Sequence, residues 1–248
     1  MSDAAARRLT IRRVAETVAL VGSGAALAGA AGSLLDITVA AAIVGGANGA
    51  ISGWRGIYRW RSITGWLAFV LDSTWALVTT AGALVAHVVA AVQRTPDNYV
   101  AELSERRDRH VYRRGYTLRR GFMFTVGNVI NGAGPNTGTE FRRRVVDDHE
   151  HVHVWQGRWF GPIFPLVYGA WWVIGATVGT VVWLVRRPPE GFGRVIDSWG
   201  YYRNPFEWWA YSREGRWPPP GAVRGFVWRR PLTRPIGTTA AGGTMSGS

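Results

Sequence analysis

The sequence predicts a mostly α-helical protein in which multi-pass membrane helices carry a small α+β cap. Of its 248 residues, 47% are hydrophobic, and they collect in long blocks almost free of charge, which is typical of membrane helices rather than of a soluble core. A charged segment between the second and third blocks contains the pattern of short strands. The same segment holds the motif His149-Glu150-His151-Val152-His153.

The chain is strongly basic, with a formal net charge of +13 from 29 basic and 16 acidic residues. All the basic residues are Arg, a bias that indicates a high-GC bacterial genome. Many lie at the ends of apolar blocks, as membrane anchors do, and no nucleic-acid motif accompanies them. We therefore predict a multi-pass protein of the bacterial inner membrane, with the lipid bilayer as partner and no nucleic-acid binding. Cys is absent, which excludes disulfides and thiolate metal sites.

Residues 1–93 are predicted to form the N-terminal membrane helices. The first apolar block, residues 14–53, fits two short helices joined by a tight turn. Gly45, Gly49 and Gly53 recur every four residues, and small residues at this spacing let a neighbouring backbone approach closely. One interpretation of this glycine-zipper pattern is packing within the hairpin. The other is homo-oligomerisation through the same three glycines.

The second apolar block, residues 63–93, is long enough for one tilted membrane helix. It contains Asp72 and His87. Each lies within about two turns of one end of the block. We therefore expect both side chains to reach the membrane interface by snorkelling, although ionisable groups at membrane depth are often functional.

Residues 94–159 read as a soluble segment that combines strands with the helix of the histidine motif. Residues 116–130 are rich in β-branched and aromatic residues and predict one or two strands. Residues 131–138 carry Gly, Pro and Asn and predict a loop. A helix is expected from about Thr139 to about Arg158, because Gly161 and Pro162 stop it.

The rest of the chain divides into three predicted parts. Residues 160–187 form an apolar membrane or re-entrant segment, and residues 188–236 form a polar C-terminal segment that completes the site. Residues 237–248 are expected to be a disordered tail.

The histidine motif has the spacing of a metal site. On a helix His149 and His153 are one turn apart and share a face, so two imidazoles can bind one metal ion. Glu150 lies about 100° round the helix, within reach of a metal-bound water. Two alternatives remain open. The histidines are solvated on a surface helix, or residues 145–155 form a strand on which three imidazoles share a face.

The motif also separates classes of zinc peptidase. A metzincin would have Gly at position 156 and a third His at position 159, where this chain has Gln156 and Trp159. That class is excluded. A carboxylate elsewhere in the chain is then the expected third ligand.

Together, the histidine motif and Asn204-Pro205-Phe206-Glu207, flanked by apolar segments, resemble the membrane-bound gluzincin metallopeptidases of the Ste24 and HtpX type. They are also similar to short bacterial proteins with a His-Glu-x-x-His-x-x-Gln pattern followed by Asn-Pro-x-Glu. The resemblance implies a zincin-like cap with Zn²⁺ as cofactor. It implies His149 and His153 as zinc ligands, Glu150 as general base and Glu207 as third ligand. Alternatively, Glu207 is only a favourable acid at a helix N-terminus.

Convergence of these ligands constrains the third apolar block. A straight helix of 26 residues rises roughly 39 Å and would leave Glu207 on the far side of a bilayer. We therefore expect residues 160–185 to form a re-entrant or kinked hairpin, which Pro162 and Pro165 would begin. If the block crosses instead, the third ligand would be Glu140, Asp147 or Asp148.

The predicted function is that of a membrane-embedded zinc metallopeptidase acting on membrane or membrane-proximal proteins. The resemblance also implies that an extended peptide substrate pairs with the strand region 122–129. The rival prediction is a non-catalytic membrane subunit that oligomerises through its glycine-spaced helices. Zinc content separates the two.

Overall fold

The computed structural model describes residues 3–117 and 121–235. The predicted tail, residues 237–248, lies outside them, as do Leu118–Arg120 of the strand region. The chain divides into two compact units, Met1–Leu166 and Val167–Ser248. The described part is mostly helical with one three-stranded sheet, which confirms the coarse fold class.

The first unit begins with a helical hairpin. Helix α1 spans Asp3–Ser33 and α2 spans Thr38–Arg55, and a four-residue turn joins them. This confirms two helices in the first apolar block. Helix α2 ends at Gly56, whose φ of 58° is left-handed and suits a residue without a side chain.

The glycine face of α2 packs against α1 of the same chain. A Cβ added to Gly45 would lie 2.3 Å from Gly24 O, and one added to Gly49 would lie 2.2 Å from Leu20 O. A Cβ added to Gly53 would lie 2.6 Å from Thr17 Cα. Homo-oligomerisation through these three glycines stays a prediction, and it would require α1 to leave this face.

The second apolar block forms two helices instead of one. Helix α3 spans Ile63–Ser73 and α4 spans Leu77–Val92, with an angle of 88° between them. The expectation of a single tilted helix is therefore wrong. The expectation of snorkelling is also wrong, because Asp72 and His87 are both buried and hydrogen-bonded inside the first unit. Their partners come from distant parts of the chain, which a hydropathy pattern cannot show.

Two helices of the described chain are long and apolar enough to cross a membrane, Arg7–Ser33 and Ile163–Arg186. The bent pair α3–α4 would make a third if it acted as one span. These lengths and compositions are compatible with a membrane protein.

A small sheet follows the bent pair. After the short helix α5 (Ala101–Ser104) come the strands β1 (His110–Val111), β2 (Phe124–Val126) and β3 (Val129–Asn131). The strand order is β1-β3-β2, with β1 parallel and β2 antiparallel to β3. Strands β2 and β3 confirm the strand region of the sequence.

One continuous helical run, residues 140–160, carries the histidine motif; we call it the histidine helix. It consists of α6 (Glu140–Arg144), a π-helical segment (Val145–Glu150) and α7 (His151–Phe160). Thr139 caps it, because its Oγ1 accepts from Arg142 N at 3.3 Å. The helix prediction is confirmed and the strand alternative for residues 145–155 is wrong.

The second unit contains most of helix α8, which runs unbroken from Ile163 to Arg186. The expectation of a re-entrant or kinked hairpin within residues 160–185 is therefore wrong. Pro162 precedes α8, and Pro165 lies in its first turn, where backbone N–H groups have no partner within the helix. Proline at these positions breaks no hydrogen bond of the helix.

The chain reverses direction after α8 instead of within it. Next come α9 (Phe192–Ile196), a π-helical segment (Asp197–Tyr202) and α10 (Pro205–Glu214), and then a short 3₁₀ turn (Arg224–Phe226). Gly175 lies against Trp199 and Gly179 against Ile196, while Trp183 contacts Phe192. Residues 192–202 therefore run antiparallel along α8.

Candidate metal centre

His149 and His153 point the same ring nitrogen at each other. Their Nε2 atoms are 3.2 Å apart and both side chains are buried. Two nitrogen ligands at the usual zinc distance, separated by the tetrahedral angle, are about 3.4 Å apart. The two Nε2 atoms are thus close enough either to share a hydrogen bond or to bind one metal ion.

Gln156 holds the ring of His153 by a side-chain hydrogen bond. The Nδ1 atom of His153 lies 2.8 Å from Gln156 Oε1, and an amide oxygen can only accept a hydrogen bond. An Nδ1–H group that donates to this oxygen leaves Nε2, the atom that faces His149, as the ring nitrogen with a free lone pair in the neutral tautomer. A hydrogen bond of this kind orients a metal-binding histidine and raises the basicity of its ligand atom.

The carboxylate of Glu150 is held by the sheet. Thr125, in the middle of β2, donates its hydroxyl to Glu150 Oε2 at 2.6 Å. Glu150 is buried next to His149 in the chain. The side chain expected to act as general base thus has a fixed orientation.

His151 does not belong to this pair. Trp155 Nε1 donates to His151 Nε2 at 3.1 Å. Burial, and then the positive charge of Arg109, lowers the pKa of His151 well below its usual value, so the ring is neutral. The three histidines of the motif therefore have different roles.

Glu207 lies in the second unit, in the first turn of α10. Asn204 caps this helix by accepting from Phe206 N at 3.0 Å, and Pro205 occupies the first turn. Tyr168, near the start of α8, donates its hydroxyl to Glu207 Oε1 at 2.7 Å. Residues 192–202 run antiparallel to α8, from its end towards its start. This course places Glu207 beside Tyr168, near the start of α8.

Two buried tyrosines, Tyr201 and Tyr211, lie close enough to Glu207 to be affected by its charge. Burial raises the pKa of Tyr201 and Tyr211 above the usual value, and the negative charge of Glu207 raises both further. Both tyrosines are therefore neutral. A buried carboxylate is stabilised by a counter-charge or by a metal ion, to which its oxygen atoms can serve as ligands.

The π-helical segment that contains His149 is anchored by Arg109. Its guanidinium donates to Val146 O at 3.3 Å and to Leu103 O at 3.0 Å, and it forms an ion pair with Asp147. Glu140, another acid considered as a ligand, forms an exposed ion pair with Arg144. Asp147 and Glu140 are thus engaged with arginines.

Sequence reasoning missed two residues that support the site. Thr125 was part of a predicted strand, but nothing in the sequence connected it with Glu150. Arg158 was only the expected helix end, whereas its buried guanidinium pairs with Asp72. Gln156 did give a signal, since it lies two turns after His149 on the same helix face.

The expected site residues are divided between the two units of the chain. The first unit brings His149, Glu150 and His153 together on the histidine helix. The second unit buries Glu207 at the start of α10. Comparison of the chain with protein-family models, curated proteins and solved structures gives no match.

Proposed function

We propose that the chain is a membrane-embedded, zinc-dependent metallopeptidase that hydrolyses peptide bonds of membrane or membrane-proximal proteins. The distance of 3.2 Å between the Nε2 atoms of His149 and His153 is the observation that carries it. Such a spacing suits two ligands of one zinc ion. Glu207 is proposed as the third ligand, on the basis of its Asn-Pro-x-Glu motif and its buried carboxylate.

Each side chain then has a chemical task. Zinc would supply a Lewis acid that polarises the peptide carbonyl and lowers the pKa of a water molecule. Glu150 takes the proton from that water and later delivers it to the leaving amine. Thr125 keeps the Glu150 carboxylate turned to one orientation, and Gln156 does the same for the ring of His153.

Strand β2 supports a way of binding the substrate. Among the described residues, β2 pairs with β3 and lies at the edge of the sheet. An extended peptide can add to such an edge through main-chain hydrogen bonds. Since Thr125 of β2 contacts Glu150, a peptide on this edge would lie beside the general base.

Elemental analysis of the purified protein tests the metal site. We expect about one zinc per chain, which His149→Ala and His153→Ala each remove. His151→Ala is the matched control on the same helix and keeps the zinc. For Glu207, the variant Glu207→Gln lowers zinc content, whereas Glu214→Gln, a buried acid of the same helix, leaves it unchanged.

Peptide hydrolysis tests the chemistry. A set of fluorescence-quenched peptides, added to protein in vesicles, should be cleaved by the wild type. Glu150→Gln should keep zinc and lose activity on the order of a hundredfold or more. A protein without zinc would contradict the proposal and favour the non-catalytic membrane subunit.

A further inference from the structure

The outward face of α4 is aliphatic. Val78, Val85, Val88 and Val92 are between 58% and 71% exposed, and their spacing places them along one side of the helix; we call them the valine stripe. In a soluble protein the exposed side of a helix is polar, but α4 contains no Asp, Glu or Arg. The valine stripe therefore faces an apolar medium.

The opposite face of α4 is covered by the sheet and its loops. In the first turn, Thr79 touches the β2–β3 turn so closely that a Cβ at Gly127 would lie 2.4 Å from Thr79 O. In the last turn, Asn98 Nδ2 donates to Ala90 O at 3.1 Å. If α4 crossed a bilayer, it would carry the half-buried edge strand β2 to membrane depth, where lipid-exposed strand edges are not found.

The right-angled bend before α4 is fixed by hydrogen bonds. Ala76 N donates to Leu71 O at 2.8 Å, and Thr80 Oγ1 donates to Asp72 O, also at 2.8 Å. The carboxylate of Asp72 pairs with Arg158 of the histidine helix. The direction of α4 is thus set by the same structure that carries the histidines.

The hairpin α1–α2 shows on which side the lipid lies. The sheet meets this hairpin towards the Arg55 end of α2, where Asn128 Nδ2 donates to Asn48 Oδ1 at 3.0 Å. The other end of the hairpin exposes Leu34 and Leu35. In a bilayer that takes up this apolar end, the sheet lies towards the opposite, aqueous end of the hairpin.

We propose that α4 lies parallel to the membrane at the boundary between water and lipid, with the valine stripe among the acyl chains and the sheet on the aqueous side. Its partner is a lipid surface. Helices of this kind bury their apolar face about 5–10 Å into the headgroup and acyl boundary. This placement does not depend on zinc chemistry, and its test has no activity readout.

Because the chain has no Cys, single cysteines can be introduced and labelled with a nitroxide. Val78→Cys, Val85→Cys and Val92→Cys, in protein reconstituted in phosphatidylcholine–phosphatidylglycerol vesicles, report depth through relaxation by oxygen and by a water-soluble nickel chelate. We expect the three labels to have equal depths. If α4 crosses, the depths of Val78 and Val92 differ by about 21 Å, and the proposal is overturned.

Two exposed residues of α1 provide the control, since Val18→Cys and Ala26→Cys are eight residues apart, or about 12 Å along the helix. We expect these two labels to differ in depth. Two further results would contradict the lipid contact. Access of the nickel chelate to all three α4 labels would place the stripe in water, and protection from both reagents would mean that protein, such as a second copy of the chain, covers it.

Discussion

Arg158 and Asp72 form a buried, two-pronged ion pair 86 residues apart in the chain. The Nε and Nη2 atoms of Arg158 each lie 2.8 Å from a carboxylate oxygen of Asp72. Nη2 also donates to Asp108 O at 2.6 Å. The pair therefore joins the histidine helix to the bend between α3 and α4 and to the chain segment before β1.

Removing one partner of this pair should destabilise the first unit strongly. Asp72→Ala leaves the guanidinium of Arg158 buried without its counter-charge, which costs about 3–5 kcal/mol of unfolding free energy. Denaturant unfolding in detergent measures this loss. The double variant Asp72→Leu with Arg158→Met should recover much of it, because no charge then remains buried.

An exposed ion pair supplies the comparison. Glu140→Ala breaks the pair between Glu140 and Arg144, which is open to solvent, and should cost less than about 1 kcal/mol. Equal losses for Asp72→Ala and Glu140→Ala would contradict a structural role for the buried pair.

Gln156 should control zinc affinity without binding the metal. Gln156→Leu removes the acceptor for the Nδ1 proton of His153 and should weaken zinc binding by about 10–100-fold. Competition with a chelator measures the change. Gln93→Leu, at an exposed glutamine of the first unit, is the control, and an equal effect there would refute the assignment.

Thr125 should affect turnover more than metal content. Thr125→Val removes the hydroxyl that donates to Glu150. Because hydrogen bonds to charged groups contribute about 1.5–3 kcal/mol, we expect kcat to fall by about tenfold or more. Zinc content should not change, and Thr125→Ser should restore most of the rate. Failure of the serine variant to restore kcat would show that the threonine acts through packing.

Stability should depend on the protonation of His110. Burial, followed by the nearby charges of His87 and Arg55, lowers the pKa of His110 well below 6.5. Above pH 6.5 the ring is neutral in both states, and its contribution to stability is complete. Below that pH only the unfolded chain takes up the proton, so stability falls by about 1.4 kcal/mol per pH unit.

The variant His110→Gln removes this proton uptake. Unfolding free energies at pH 7.5 and pH 5.5 should therefore differ less in the variant than in the wild type. The same pH dependence in both proteins would mean that His110 is protonated in the folded state as well.

Local patterns were sufficient to predict most helices and the histidine pair. The spacing of His149 and His153 depends on helical periodicity alone, and the turn between α1 and α2 follows from the break in apolar character near Asp36. The start of α10 also follows a local rule, since Pro205 occupies the first turn, where proline is favourable.

Such local patterns could not predict contacts between residues that are far apart in the chain. Asp72 read as an isolated acid in an apolar block because its partner Arg158 lies on another helix. The same holds for Thr125, whose partner follows 25 residues later. In α8 the error was of another kind, since Pro162 and Pro165 indicated the start of a hairpin but lie before the helix and in its first turn, where proline breaks no helical hydrogen bond.

Helix α8 and residues 192–202 run antiparallel, so they form two arms joined by residues 187–191. The position of Glu207 relative to Tyr168 therefore does not depend on the length of these arms. Equal insertions of whole turns in both arms would move the turn at residues 187–191 outward and leave Glu207 beside Tyr168. An insertion in one arm alone would shift Glu207 by 1.5 Å and 100° for each residue added. The number of residues between Tyr168 and Asn204 can therefore change without separating Glu207 from Tyr168, provided that α8 and residues 192–202 are lengthened together.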